Sequence, residues 1–239
     1  MKIFTSAIIS VGIGLTLTLG GCSLPKTASQ PKAASNFQSF VDWCKNQKNL
    51  SEEAKKTVDV LLFIADTKQC DNASENLASV TELDLGEKEI SDLRPLSSLT
   101  NLRILYLSAN QISDIRPLSS LTKLTTLYLR DNNISYLSPL KSLNNLTGLD
   151  LTANQIADIS PLQSLTNLTT LVLSNNQISD ISPLESLTKL ETIYLSNNEI
   201  SDISPLVSLT KLKIIYLKGN QITDGTCPLE SEKVCKFDE

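Results

Sequence analysis

Four of the chain's five tyrosines, Tyr106, Tyr128, Tyr194 and Tyr216, are spaced by 22 residues or a multiple of 22. Tyrosine offers a partner a large contact area with few rotors to freeze, so a regular set can anchor recognition. It also suits exposed strand positions and packs on its neighbours there, which needs no ligand. Six aspartates keep the same interval: Asp92, Asp114, Asp158, Asp180, Asp202 and Asp224, with Tyr136 interrupting the series. A carboxylate ladder could hold calcium, which takes several oxygen ligands. Aspartate just ahead of a proline-led turn also accepts backbone N–H groups, and that capping role better fits a residue recurring with the period. No metal site is expected.

Bond-making chemistry finds little to work with. The chain has no histidine, which removes Ser-His-Asp and Cys-His catalysis, His-ligated zinc and imidazole proton relays. Glycines are few, and the nearest approach to a phosphate-binding loop, Gly12 and Gly14, has Leu17 where the third glycine belongs. A formal charge of −5 argues against nucleic acid, whose phosphates want a basic face.

The interval belongs to the chain itself. From Leu77 onward a 22-residue unit recurs, beginning at Leu77, Leu99, Leu121, Leu143, Leu165, Leu187 and Leu209. Unit positions 1, 4, 7, 9, 14, 17 and 20 hold Leu, Ile or Val throughout, except for Gly225 and Pro228 in the last unit. Position 12 is Asn in every unit but the first, which has Lys88. Apolar positions 7 and 9 alternate with polar neighbours, the period of a strand with one buried face. No unit could bury its own apolar column, so the units must stack.

This pattern resembles the leucine-rich repeat, and the 22-residue form with I-S-D-I-S-P-L is similar to the internalin family. The resemblance implies an α/β solenoid: a parallel sheet on the concave face, short 3-10 turns led by the position-19 proline on the convex face, and caps at both raw ends. Residues 77–230 would be the seven repeats and 231–239 the C-terminal cap. Residues 36–76 would be a helical N-terminal cap, with one helix carrying Phe37, Phe40, Val41 and Cys44. A second would open at Ser51 and carry Val58, Val60, Leu61, Leu62, Phe63 and Ile64. Trp43 is expected in the cap's core. The position-12 Asn would turn the chain and satisfy backbone groups of neighbouring coils.

In such a solenoid, positions 6, 8 and 10 face the concave side. Position 8 reads Asp84, Tyr106, Tyr128, Asp150, Val172, Tyr194, Tyr216, two exposed aromatic pairs near the ends of the sheet. Ile104, Thr126, Arg130, Thr192, Ile214 and Lys218 would extend the surface, the two isoleucines being expected as exposed. Asp84 and Asp150 lie three coils apart, roughly 14 Å at the usual strand spacing. Paired-carboxylate hydrolysis uses ~5–9.5 Å. The expectation is a binding module without enzymatic activity or cofactor, taking a protein partner on its concave face as a monomer. The alternative is a passive scaffold of the cell envelope.

The N-terminus reads as an address. Met1 and Lys2 lead into an apolar run to Gly21, the pattern of a secretory signal over residues 1–21. The tetrad Leu19–Cys22 resembles a bacterial lipobox, which implies lipidation of Cys22 and anchorage in the cell envelope. Ser23 resembles the outer-membrane sorting pattern of Gram-negative lipoproteins. Residues 22–35, rich in Pro, Ala, Ser and Lys, would be the lipidated cysteine and its tether. Four cysteines then remain for an oxidising compartment, and their placement pairs Cys44 with Cys70 and Cys227 with Cys235. The Cys-bearing helical cap is similar to those of internalin-like lipoproteins of cyanobacteria.

Overall fold

The computed structural model describes residues 37–229 and 234–238. The signal, Cys22 and the tether lie outside the described residues.

Each 22-residue unit makes one coil, entered by a three-residue strand: β1 Glu82–Asp84, β2 Ile104–Tyr106, β3 Thr126–Tyr128, β4 Gly148–Asp150, β5 Thr170–Val172, β6 Thr192–Tyr194 and β7 Ile214–Tyr216. An eighth, β8 Cys235–Lys236, completes a parallel sheet whose strands lie in chain order. From β1 to β7, equal unit positions pair, as in Leu105 with Leu127 and Tyr106 with Tyr128. Residues 22 apart therefore form columns across the sheet. Position 7 lines the interior, and Leu105, Leu127, Leu171 and Ile193 are wholly buried.

Beyond each strand the backbone enters the left-handed region at position 11: Glu87, Ala109, Asp131, Ala153, Asn175, Asn197 and Gly219 all have positive φ. The residue that turns the chain is thus the one before the Asn column, not the Asn itself. The Asn supplies hydrogen bonds. The Asn154 amide donates to the carbonyls of Leu129, Leu151 and Thr152, and its Oδ1 accepts the Ile134 N–H at 2.9 Å. One buried side chain thereby satisfies groups on two coils that no strand reaches.

On the convex side, 3-10 turns at Arg94–Leu96, Arg116–Ser120, Ser138–Ser142, Ser160–Ser164, Ser182–Ser186 and Ser204–Ser208 carry proline near their start. The proline needs no N–H partner there. Each aspartate of the position-16 column accepts the N–H two residues on, Asp158 from Ser160 and Asp202 from Ser204 at 2.8 Å. Those bonds hold both carboxyls below the usual carboxylate range. Asp114 is lowered chiefly by the Arg116 guanidinium. The ladder caps turns.

The N-terminal end is closed by three helices where the sequence predicts two: α1 Phe40–Lys45, α2 Glu52–Ile64 and α3 Cys70–Ala78. Ser39 and Asp42 form a reciprocal capping box on α1, and Ser51 caps α2. Phe37 precedes α1 rather than lying in it, and packs edge-on to Trp43 with ring centroids 5.1 Å apart. Trp43 is 2 % exposed, with the Arg94 guanidinium 5.2 Å from its ring. A Cys44–Cys70 disulfide joins α1 to α3. Thr57 Oγ1 donates to the Asp92 carbonyl at 2.7 Å, fixing α2 to the first coil. At the other end a Cys227–Cys235 disulfide holds β8 along β7, where the Leu217 N–H donates to the Lys236 carbonyl. No described helix is long and apolar enough to cross a membrane.

Candidate recognition surface on the concave face

The columns at positions 6, 8 and 10 line the open side of the sheet. Tyr106 on β2 and Tyr128 on β3 stack with centroids 4.8 Å apart and planes at 3°. Tyr194 on β6 and Tyr216 on β7 do the same at 4.6 Å and 7°. The sequence placed these pairs in the open. In the structure all four tyrosines, with Ile104 and Ile214, are half-buried. Each ring covers one face of its mate, and the isoleucines sit two residues earlier on the same side of the strand, where neighbours shield them. Arg130 and Lys218 are exposed.

Between the stacks lie β4 and β5, with Asp150 and Val172 at position 8 and Gly148 and Thr170 at position 6. These short side chains leave a trough of about 300 Å³ lined by Thr126, Tyr128, Gly148, Asp150, Thr170 and Val172. The stacking direction runs from strand to strand. Tyr128 lines this trough, while Tyr194 lies beyond Val172, three strand steps or roughly 14 Å from Tyr128. Gly148 matters by absence: a Cβ there would meet Thr126 Cγ2 at 3.3 Å and raise the floor. The sequence signal was available, since Gly148 is the one glycine in the position-6 column. A missing side chain forms no motif, and the gap exists only relative to the bulkier residues of its column.

The carboxylates do not converge. Asp84 lies on β1 and Asp150 on β4. Asp84 accepts the Gly86 N–H, and Asp150 accepts both the N–H and the hydroxyl of Thr152, at 2.9 and 2.6 Å. Arg130 bonds Asp131 at 2.9 Å, and that partner raises its pKa. Glu82, absent from the predicted set, accepts the Tyr106 hydroxyl at 3.3 Å. Burial first, then the Glu82 charge, pushes the Tyr106 phenol up. The two ends differ in sign, with Glu82 and Asp84 at β1 against Lys218 after β7 and Lys236 on β8. What this surface offers is two aromatic edges, a shallow polar floor and a charge gradient.

Comparison with known proteins agrees with the repeat fold. A family model described as leucine-rich repeats (2 copies) matches residues 78–120, 122–164, 166–207 and 188–224. Among solved structures, internalin C2 of Listeria monocytogenes is 33 % identical, with a TM-score of 0.64 over 74 % of this chain and 88 % of its own. An internalin F of the same organism is 32 % identical, with a TM-score of 0.60 over 76 % of this chain and 62 % of its own. No curated protein sequence matches. The leucine-rich repeat is in general a protein interaction module, and this chain belongs to it as an internalin-like leucine-rich repeat protein.

Proposed function

We propose that the chain is an exported, lipid-anchored binding module whose concave face docks a protein partner as a monomer. The observation that carries the reading is the pair of tyrosine stacks placed on either side of a low floor. Rings already ordered by stacking lose little entropy on docking, and aromatic anchors around a depression are where interface energy concentrates. Export is supported by both disulfides, which need an oxidising compartment. Attachment is assigned to Cys22 on its lipobox-like tetrad; lipid chains on one cysteine hold a domain at a bilayer surface.

A second reading, the passive envelope scaffold, draws on the same stacks. Rings that cover one another are also what strand packing alone would produce. Affinity capture from envelope and surface extracts separates the two, using the chain beside a variant with Tyr106, Tyr128, Tyr194 and Tyr216 changed to Ser. Circular dichroism first establishes that both fold alike. A protein retained by the native chain and lost by the variant is the expected result. Identical background from both overturns the concave-face reading in favour of the scaffold.

A further inference from the structure

Helix α2 is apolar on more than one side. Ala54, Thr57, Val58 and Leu61 face inward and are buried. Val60 and Leu62 are half-buried, while Phe63 is 84 % exposed and Ile64 36 %. Phe63 lies between two hollows of about 590 and 750 Å³, one lined by Lys55, Lys56, Val60 and Lys88, the other by Gln47, Leu62, Asp66 and Lys68. The side that carries Phe63 also carries Glu52, Lys55, Lys56 and Asp59, so Phe63 is an apolar ring on a charged face, and among the described residues nothing covers it.

The rim is charged but balanced. Lys55 pairs with Glu52 at 2.7 Å, Lys56 pairs with Glu89, and the Gln47 amide donates to Asp59 at 2.9 Å. Lys88 lines the first hollow, and Asp66 and Lys68 line the second. The chain as a whole carries −5, yet this face carries no acidic excess and does not repel an anionic headgroup layer. Lysine stems lie readily along apolar surface with their ammonium groups in a polar layer.

The course of the chain selects the occupant. Cys22 connects through residues 23–36 to Phe37, which packs on Trp43 of the same cap. That connection spans at most roughly 50 Å, against about 34 Å for the seven steps of the eight-stranded sheet. A linker this short holds the cap at millimolar effective concentration beside whatever holds Cys22. Burying one phenylalanine strengthens partitioning roughly ten- to a hundredfold, enough to occupy a contact so presented.

We propose that the outer face of α2, centred on Phe63, is a membrane-contact surface that lies in the headgroup layer and fixes how the repeats stand on the bilayer. The inference rests on the lipid-anchor reading above. The test takes the full chain, expressed with its N-terminus and purified from membranes, as native protein and as Phe63→Trp. Both go into vesicles of phosphatidylethanolamine and phosphatidylglycerol, with and without brominated acyl chains. Buried Trp43 is the internal reference, and the intact mass reports lipid on Cys22. A blue-shifted indole at position 63, quenched by bromolipid at least threefold more than Trp43, is the expected result. Lipidated protein that floats with vesicles while that indole stays unquenched overturns the contact and leaves the anchor standing. Absence of lipid on Cys22 overturns the anchor and the contact with it. An indole shielded equally without vesicles, in protein that sediments as a dimer, assigns the face to a second copy and overturns the proposal.

Discussion

Tyr128 turns the outer face of its ring towards Asp150 because its other face is taken by Tyr106, stacked at 4.8 Å. That separation is the spacing of the strands that carry the two rings. The in-register pairing of β2 with β3 thus sets the orientation of the aromatic surface, with no help from the loops. The same holds for Tyr194 and Tyr216 on β6 and β7. The shape of the concave surface is here a by-product of a repeat length that never varies.

The Asn column holds that register. Asn154→Ala would leave the Ile134 N–H and the Leu129 and Leu151 carbonyls without their partner inside the solenoid. At about 1–3 kcal/mol for each buried group left unsatisfied, the loss should be about 3 kcal/mol or more by denaturant unfolding. Asn145→Ala removes one exposed bond to the Thr122 carbonyl and should cost under about 1 kcal/mol. Equal losses would contradict the assignment.

Ala153 carries a φ of 53°, a conformation that costs an L-residue about 1–2 kcal/mol. Ala153→Gly should therefore stabilise the protein by about 0.5–1 kcal/mol, although glycine ordinarily destabilises. Thermal unfolding reads the sign directly.

The two disulfides differ in the chain they close, with separations of 26 for Cys44–Cys70 and 8 for Cys227–Cys235. Loop-closure entropy assigns about 3.5 and about 2.5 kcal/mol. Paired Cys→Ser variants should rank in that order by denaturant midpoint, and the reverse ranking would mean that β8 matters more to the stack than the helical cap.

Acid should loosen the convex turns. Backbone N–H bonds hold Asp158 and Asp202 below their ordinary value of 3.8 when folded. Their contribution is complete above pH 3.8 and lost as pH falls through the lowered folded values. The melting temperature should stay level near neutrality and drop below about pH 4. Asp158→Asn with Asp202→Asn keeps an acceptor but no charge, and should make that drop shallower.

The Tyr106 phenol should titrate above its ordinary value, because burial and the nearby Glu82 both oppose tyrosinate. Glu82→Gln removes the charge but not the burial, so tyrosinate absorbance should move down only part of the way. No movement at all would place Glu82 out of reach of the hydroxyl.

The coils were legible in the sequence because each obeys a local rule: Leu-x-Leu for the strand, Asn for the bonds behind it, Pro for the turn. What escaped was non-local. Helix α3 has no side-chain cap at Gln69, and its last buried residue, Leu77, already fits the repeat phase. Strand β8 is two residues long and lies outside the 22-residue phase, so only its pairing with β7 defines it. The half-burial of the tyrosines comes from each other, and the bare side of Phe63 from the lack of a neighbour. Neither is written in a single unit.

The most direct test of the central claim uses the partner recovered by capture and titrates it calorimetrically against single variants. Tyr128→Ser and Tyr194→Ser, one in each stack, should each weaken binding about 30-fold, the scale of an interface hot spot. Val207→Ser, exposed on the convex turn, should leave it unchanged. Loss of affinity in the Val207 variant, with both tyrosine variants binding like the native protein, would contradict a concave-face site.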